Sequence, residues 1–115
     1  MSRAVAERLH DARSFAHHGQ TRVLGLEQDI FHDSVEVKFT VYYCLIAIGE
    51  ALKEVPADVL ALEPNIPWES IIGMRNRLVH AYWRIDDGIV YEVATIELPA
   101  LGAALEKLIN RIAEG

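Results

Sequence analysis

This 115-residue sequence predicts an all-α fold, an antiparallel bundle of four to five helices. Three observations predict it. Apolar residues recur at spacings of three and four along most of the chain, which marks a helix with one buried face. The connectors between these stretches are short and punctuated by Gly, Pro, Asn or Asp. From Val35 to Pro56 about twenty residues pass without a turn signal, too many for an ordinary strand.

Residues 3–18 place Val5, Leu9, Ala12 and Ala16 at helical intervals with Arg and Glu between them, a helix expected to stop near Gly19. Thr21 to Phe31 continues with Leu24, Gln28 and Phe31 as a short helix or a bent continuation. The segment from Val35 is mixed, because Val35 to Val41 alternates like a strand. Asp33 followed by Glu36 has the form of a capping box, however, and two apolar stripes run beyond it. One holds Val35, Phe39, Tyr42, Ile46 and Gly49, the other Val41, Leu45, Ile48 and Leu52. A central helix follows, apolar on most of its circumference and so expected to be buried.

Ala57 to Leu62 gives one or two helical turns. Residues 64–67 form a stiff connector, with Asn65 the expected N-cap and Pro67 in the first turn of the next helix. That helix runs through Trp68, Ile71, Ile72, Leu78, Val79 and Tyr82. Asp86 to Gly88 reads as a turn, and Ile89 to Ala94 is β-branched without a partner strand. The last helix, expected from about Pro99, carries Leu98, Leu101, Leu105, Leu108 and Ile112.

Eleven Lys/Arg against seventeen Asp/Glu give a net charge of −6. That argues against a general electrostatic grip on nucleic acid but leaves room for a local basic patch. The one cysteine, Cys44, permits no intramolecular disulfide and fits a reducing cytoplasm. No apolar signal segment opens the chain, and the most apolar run, Phe39 to Ile48, is about half the ~20 residues a membrane span needs. The expectation is a cytoplasmic, acidic protein with one domain over residues 1–115.

Polar groups collect inside an apolar helix between Gly73 and Tyr82. On an ideal helix Arg75, Val79 and Tyr82 share a stripe, and Asn76 and His80 pair on a neighbouring face. Arg75 and His80 stand about 140° apart and ~7.5 Å along the axis. They converge only through a distorted helix, the reach of Arg, or a second copy of the chain. Alone, each has a structural reading: Arg75 paired with Glu50, His80 as a satisfied imidazole, Tyr82 as a core aromatic. Together they suit attack of a ribose 2′-hydroxyl on phosphorus without a metal. Arg offers an always-charged fork for phosphate, and His gives or takes a proton near neutral pH. One His supplies one proton transfer per protomer; a symmetric dimer supplies both. Arg77 and Arg84 add a basic spot. His10 and His17 share a face with His18 and His32 nearby, but no Cys or carboxylate cluster accompanies them, so they read as exposed histidines rather than metal ligands. Cys44 reads as a small buried hydrophobe.

The spacing Arg75, four residues, His80, one residue, Tyr82 resembles the Arg-x4-His-x-Tyr signature of HEPN-domain toxins, in their HepT-like branch. Residues 45–51 resemble that family's central helix, and Ile66 through His80 its Pro-Trp, Met-Arg-Asn and His block. With Ile85, Asp86, Leu98 and Pro99 the likeness covers about residues 40–112. It implies a homodimeric all-α domain that cleaves RNA without metal or cofactor, with Arg75 and His80 catalytic and Asn76 in support. It further implies a partner, a minimal nucleotidyltransferase (MNT) antitoxin, that silences the toxin by transferring AMP to Tyr82. Two other readings stand beside it. One is a non-catalytic helical module that presents a nucleotide or substrate to a nucleotidyltransferase, with Arg75 as phosphate clamp. The other is a structural dimerisation domain with a buried Arg–Glu pair.

Overall fold

The computed structural model describes residues 3–114. Among them seven α-helices follow in chain order: α1 (Arg3–Val23), α2 (Gln28–Asp33), α3 (Val35–Leu52), α4 (Ala57–Leu60), α5 (Trp68–His80), α6 (Asp87–Glu92) and α7 (Leu98–Glu114). Tyr82–Arg84 form a 3-10 turn, and a π-helical turn at Val93–Glu97 joins α6 to α7. The described residues contain no strand. Four long rods result, α1, α3, α5 and the α6–α7 unit, so the predicted all-α bundle stands.

α1 lies between α3 and α7, and α3 lies between α1 and α5. α1 and α3 run antiparallel. Gly19 packs on Cys44 near one end, the Phe15 and Tyr43 rings meet edge-on at 5.8 Å, and Arg8 shares a surface depression with Glu50 at the other. α7 also runs antiparallel to α1, with Leu98 on Gly19 and Glu106 beside Arg13. Leu9, Ala12, Ala16 and Val23 of α1 make one core with Val41, Leu45, Ile48 and Leu52 of α3 and the leucine stripe of α7. Each fully buried leucine stabilises the fold by about 1.5–3 kcal/mol through leaving water.

Several local expectations are corrected. α1 does not stop at Gly19: a Cβ there would lie 2.9 Å from Leu98 Cδ1 and 3.4 Å from Cys44 Cβ, so this glycine is where three helices touch. The break falls at Gly25, whose φ of +79° suits glycine, with the Leu26 N–H donating to the Val23 carbonyl at 3.0 Å. Thr21 to Phe31 is therefore the end of α1, a turn and the start of α2. Ser34, not Asp33, caps α3 through its Oγ, which accepts from the Val37 N–H. Nor is α3 buried all round. Val35, Phe39 and Tyr43 are more than half exposed, because α1 and α5 cover only part of its surface.

Asn65 caps nothing. Pro67 takes the N-cap position of α5, and the connector is anchored by Trp68, whose Nε1 donates to the Glu63 carbonyl at 3.0 Å. Asp86 to Gly88 starts a helix rather than a turn, since Asp86 Oδ1 accepts from the Gly88 and Ile89 N–H groups at 2.8 and 3.4 Å. The β-branched run at 89–94 is helical because Val90, Val93 and Ala94 are buried by packing and no strand is there to pair with. Pro99 lies inside the rod instead of beginning it. A proline lacks the N–H and clashes with the carbonyl four residues back, and the π turn just before it relieves that clash. The rod Asp87–Glu114 is long and apolar enough by composition to cross a membrane, but its leucine stripe packs on α1, as in the core helix of a globular protein.

Asp87 ties three helices together. The Tyr42 hydroxyl donates to its Oδ1, while Lys38 Nζ and His32 Nδ1 lie 3.2 and 3.5 Å from Oδ2. Burial, and then the bond to Asp87, push the Tyr42 hydroxyl above the ordinary tyrosine range.

Candidate functional site

α5 has a narrow apolar seam of Ile71, Met74 and Leu78, with Asn76, Val79 and His80 on the opposite, exposed side. Arg75 flanks the seam where α5 meets α3. At that crossing α3 carries Gly49, where a Cβ would lie only 2.5 Å from Arg75 Cβ. The missing side chain lets the two helices approach and brings Arg75 against Glu50.

Arg75 Nε lies 2.7 Å from Glu50 Oε1. Both atoms are enclosed, yet the N–H is not aimed at the oxygen, so the contact is an ion pair without a directional hydrogen bond. Lys53 Nζ sits 3.1 Å from the same oxygen. The Lys53 ammonium above all, and then the Arg75 charge, hold the Glu50 carboxyl below the usual range against the opposing effect of desolvation. The side chains are 24% and 44% exposed, so the pair is half open rather than the buried pair a purely structural role presumes. On its other edge, Arg75 Nη1 donates to Asn76 Oδ1 at 3.0 Å. Glu50 and Asn76 thus fix the fork from two sides.

His80 is exposed and makes no hydrogen bond or ion pair among the described residues. α5 stays regular through His80, so the angular separation of Arg75 and His80 persists, and no hydrogen bond joins them. Tyr82 departs from its expected place. α5 ends at His80, and Ala81, at φ −145° and ψ +43°, turns the chain out of the helix. The seven-residue return that would set Tyr82 on the Arg75 stripe no longer applies. Tyr82 instead projects from the 3-10 turn beside Trp83, with the rings edge-to-face at 5.4 Å and both about two-thirds exposed. Spacing did not single out Trp83; its one signal is its place three residues beyond His80.

Burial raises the Cys44 thiol above its ordinary range, which suits a core residue and not a nucleophile. His10, His17, His18 and His32 are exposed, and among the described residues no three His, Cys, Asp or Glu side chains are grouped to hold a metal ion.

An all-α bundle whose α5 carries Arg75 and, five residues on, His80 is similar to domains of the HEPN class. Within that class the chain belongs to the HepT-like family: the family model described as "Ribonuclease HepT-like" matches residues 6–108. That match takes in α1, which the motif resemblance over about residues 40–112 left out. The chain is 37% identical over 87 residues to a Methanocaldococcus jannaschii protein named "Putative RNase MJ1216", covering 76% of this chain and 72% of that one. It is also 37% identical over 73 residues to a Thermococcus cleftensis protein named "Probable ribonuclease HepT", covering 64% and 66%. No solved structure matches it.

Proposed function

We propose that this protein is an endoribonuclease that cleaves RNA without a metal ion, as the toxin partner of an MNT nucleotidyltransferase antitoxin. The observation that carries the reading is Asn76 and His80 on the open face of α5 with Arg75 at its edge against Glu50, in a chain of the HepT-like family. In the reaction a ribose 2′-oxygen forms a bond to the adjacent phosphorus as the bond to the 5′-oxygen breaks. The products are a 2′,3′-cyclic phosphate and a free 5′-hydroxyl. His80 takes the 2′ proton or delivers one to the leaving oxygen, and Arg75 stabilises charge on the phosphoryl oxygens. Asn76 and Glu50 hold the Arg75 fork in place.

One His80 gives one proton transfer, and the exposed array is open on its outer side. Both features support a homodimer in which two α5 helices line a cleft and the two imidazoles serve as base and acid. The exposure of Tyr82, two residues from His80, supports its role as the AMP acceptor, since an anionic adduct there obstructs the phosphate site. The protein acts in the cytoplasm as one domain over residues 1–115.

The test is RNA cleavage in excess EDTA by wild type, Arg75→Ala and His80→Ala, with intact mass measured on the same samples. Cyclic-phosphate ends that both variants lose are expected. Cleavage that survives in either variant overturns the site assignment. Silence from an unmodified, folded, dimeric sample overturns the activity. It then moves the reading to the nucleotide-presenting module, which the net charge of −6 favours.

A further inference from the structure

On the side of α5 turned away from Glu50 lies a cavity of about 260 Å³, between the end of α5, the Tyr82–Arg84 turn and the start of α6. Met74, Ile85, Ile89 and Val90 give it an apolar wall, and Arg77, Arg84 and Asp86 also line it. Both arginines are exposed, and neither guanidinium group makes an ion pair or hydrogen bond among the described residues. In a chain where acids outnumber bases seventeen to eleven, two unpaired guanidinium groups beside one cavity invite an external anion. Arg77 also precedes His80 by three residues, so the two are neighbours on the helix surface. Arg77 therefore links the cavity to His80 on the side of the helix opposite Arg75.

We infer that this cavity is a base subsite for the RNA strand. The nucleotide next to the scissile phosphate sets its base against Met74, Ile85 and Ile89, and its own phosphate lies on Arg77 and Arg84. The inference rests on the ribonuclease reading and adds to it where sequence preference originates. Size points to a single base, because pockets for drug-sized ligands run to roughly 300–1,000 Å³ and this one falls just below that range. Chemistry agrees: an apolar wall suits the face of a base, and guanidinium forks suit the phosphate beside it. Asp86 contributes an edge. Its Oδ1 is taken by the Gly88 and Ile89 N–H groups, while Oδ2 has no partner among the described residues and can accept from a base amino group. Amino-bearing bases should therefore bind more tightly than uracil.

The test uses the His80→Ala protein, expected to bind without cleaving, and fluorescein-labelled short homopolymeric RNAs of each base, read by anisotropy over a salt series. Adding Arg77→Ala or Arg84→Ala should each weaken binding, and the two together should lower the slope of log affinity against log salt by about 0.7, the value of one single-strand phosphate contact. Adding Ala81→Leu, which fills the cavity, should leave that slope alone, weaken binding roughly tenfold and level the differences among the four RNAs. Ile89→Ala, at a half-exposed position that tolerates truncation, should do the same more weakly. The inference is overturned if all four folded variants keep the parent's affinity, slope and base preference, or if the His80→Ala protein binds none of the RNAs. Loss of wild-type cleavage with these binding effects intact would sink the ribonuclease and spare the subsite. Cleavage with binding indifferent to all four variants would do the reverse.

Discussion

Two helix crossings in this molecule are built on a glycine, and they use it differently. At Gly19, α1 meets α3 and α7, and the neighbours are Leu98 Cδ1 and the Cys44 side chain, all apolar and buried. At Gly49, α3 meets α5, and the neighbour is the Cβ of Arg75, beyond which lie an ion pair and an open polar face. Close approach serves packing density in the first crossing and the placement of a charge in the second. Stability and chemistry are thereby assigned to different faces of α3, and substitutions should separate them.

The largest loss of stability should come from the packing side. Leu105 is fully buried in α7, and Leu105→Ala should cost about 2–5 kcal/mol in urea unfolding while leaving cleavage per folded molecule unchanged. Gly49→Ala comes next. An atom 2.5 Å from a Cβ cannot be accommodated by turning a side-chain tip, so the helices must part at a cost of roughly 1–3 kcal/mol. Cleavage should fall with it, because Arg75 moves; unchanged cleavage would break the comparison.

Tyr42→Phe should cost about 1 kcal/mol for its bond to Asp87. It should also change the response to alkali. A tyrosine whose folded value is raised contributes stability that is fully present below its unfolded value of about 10 and is lost as pH rises above it. Thermal melts from neutral to alkaline pH should show that loss in wild type and a flatter profile in the variant.

Gly19→Ala sharpens the contrast with Gly49. The atom in the way is the end of a leucine side chain, and alanine is about 1 kcal/mol better than glycine inside a helix, so the net change should stay within about 1 kcal/mol. His80→Ala should change stability least, within about 0.5 kcal/mol in the same assay, since the side chain is exposed and unbonded. Yet it should lower cleavage by roughly 10²- to 10⁴-fold. A large stability loss there would assign His80 to the fold.

The helices were legible in the sequence wherever apolar residues repeat along one face, as with Leu98 through Ile112. The Glu50–Arg75 pairing was legible too, since both are charges set in apolar stripes. What failed were inferences from single residues. Gly19 looked like a stop because glycine so often is one, but its reason is a contact with Leu98 and Cys44 that no local pattern encodes. Pro99 looked like a start because nothing nearby announces a π turn. Tyr82 was set on the Arg75 stripe by assuming that the helix continues, and it ends at Ala81 with neither Gly nor Pro to mark the place. The exposed stripe of Val35, Phe39 and Tyr43 escaped notice because apolar periodicity cannot tell how many neighbours a helix has.

The π turn at Val93–Glu97 sets the phase between two halves of one rod. Each residue turns a helix by about 100°, so a single deletion there would rotate α6 by that angle relative to α7. With the leucines kept in place, Asp87 would swing away from Tyr42 and Lys38, and Ile89 would leave the cavity wall. With Asp87 kept in place, the leucines would leave α1. This helical segment must keep its count.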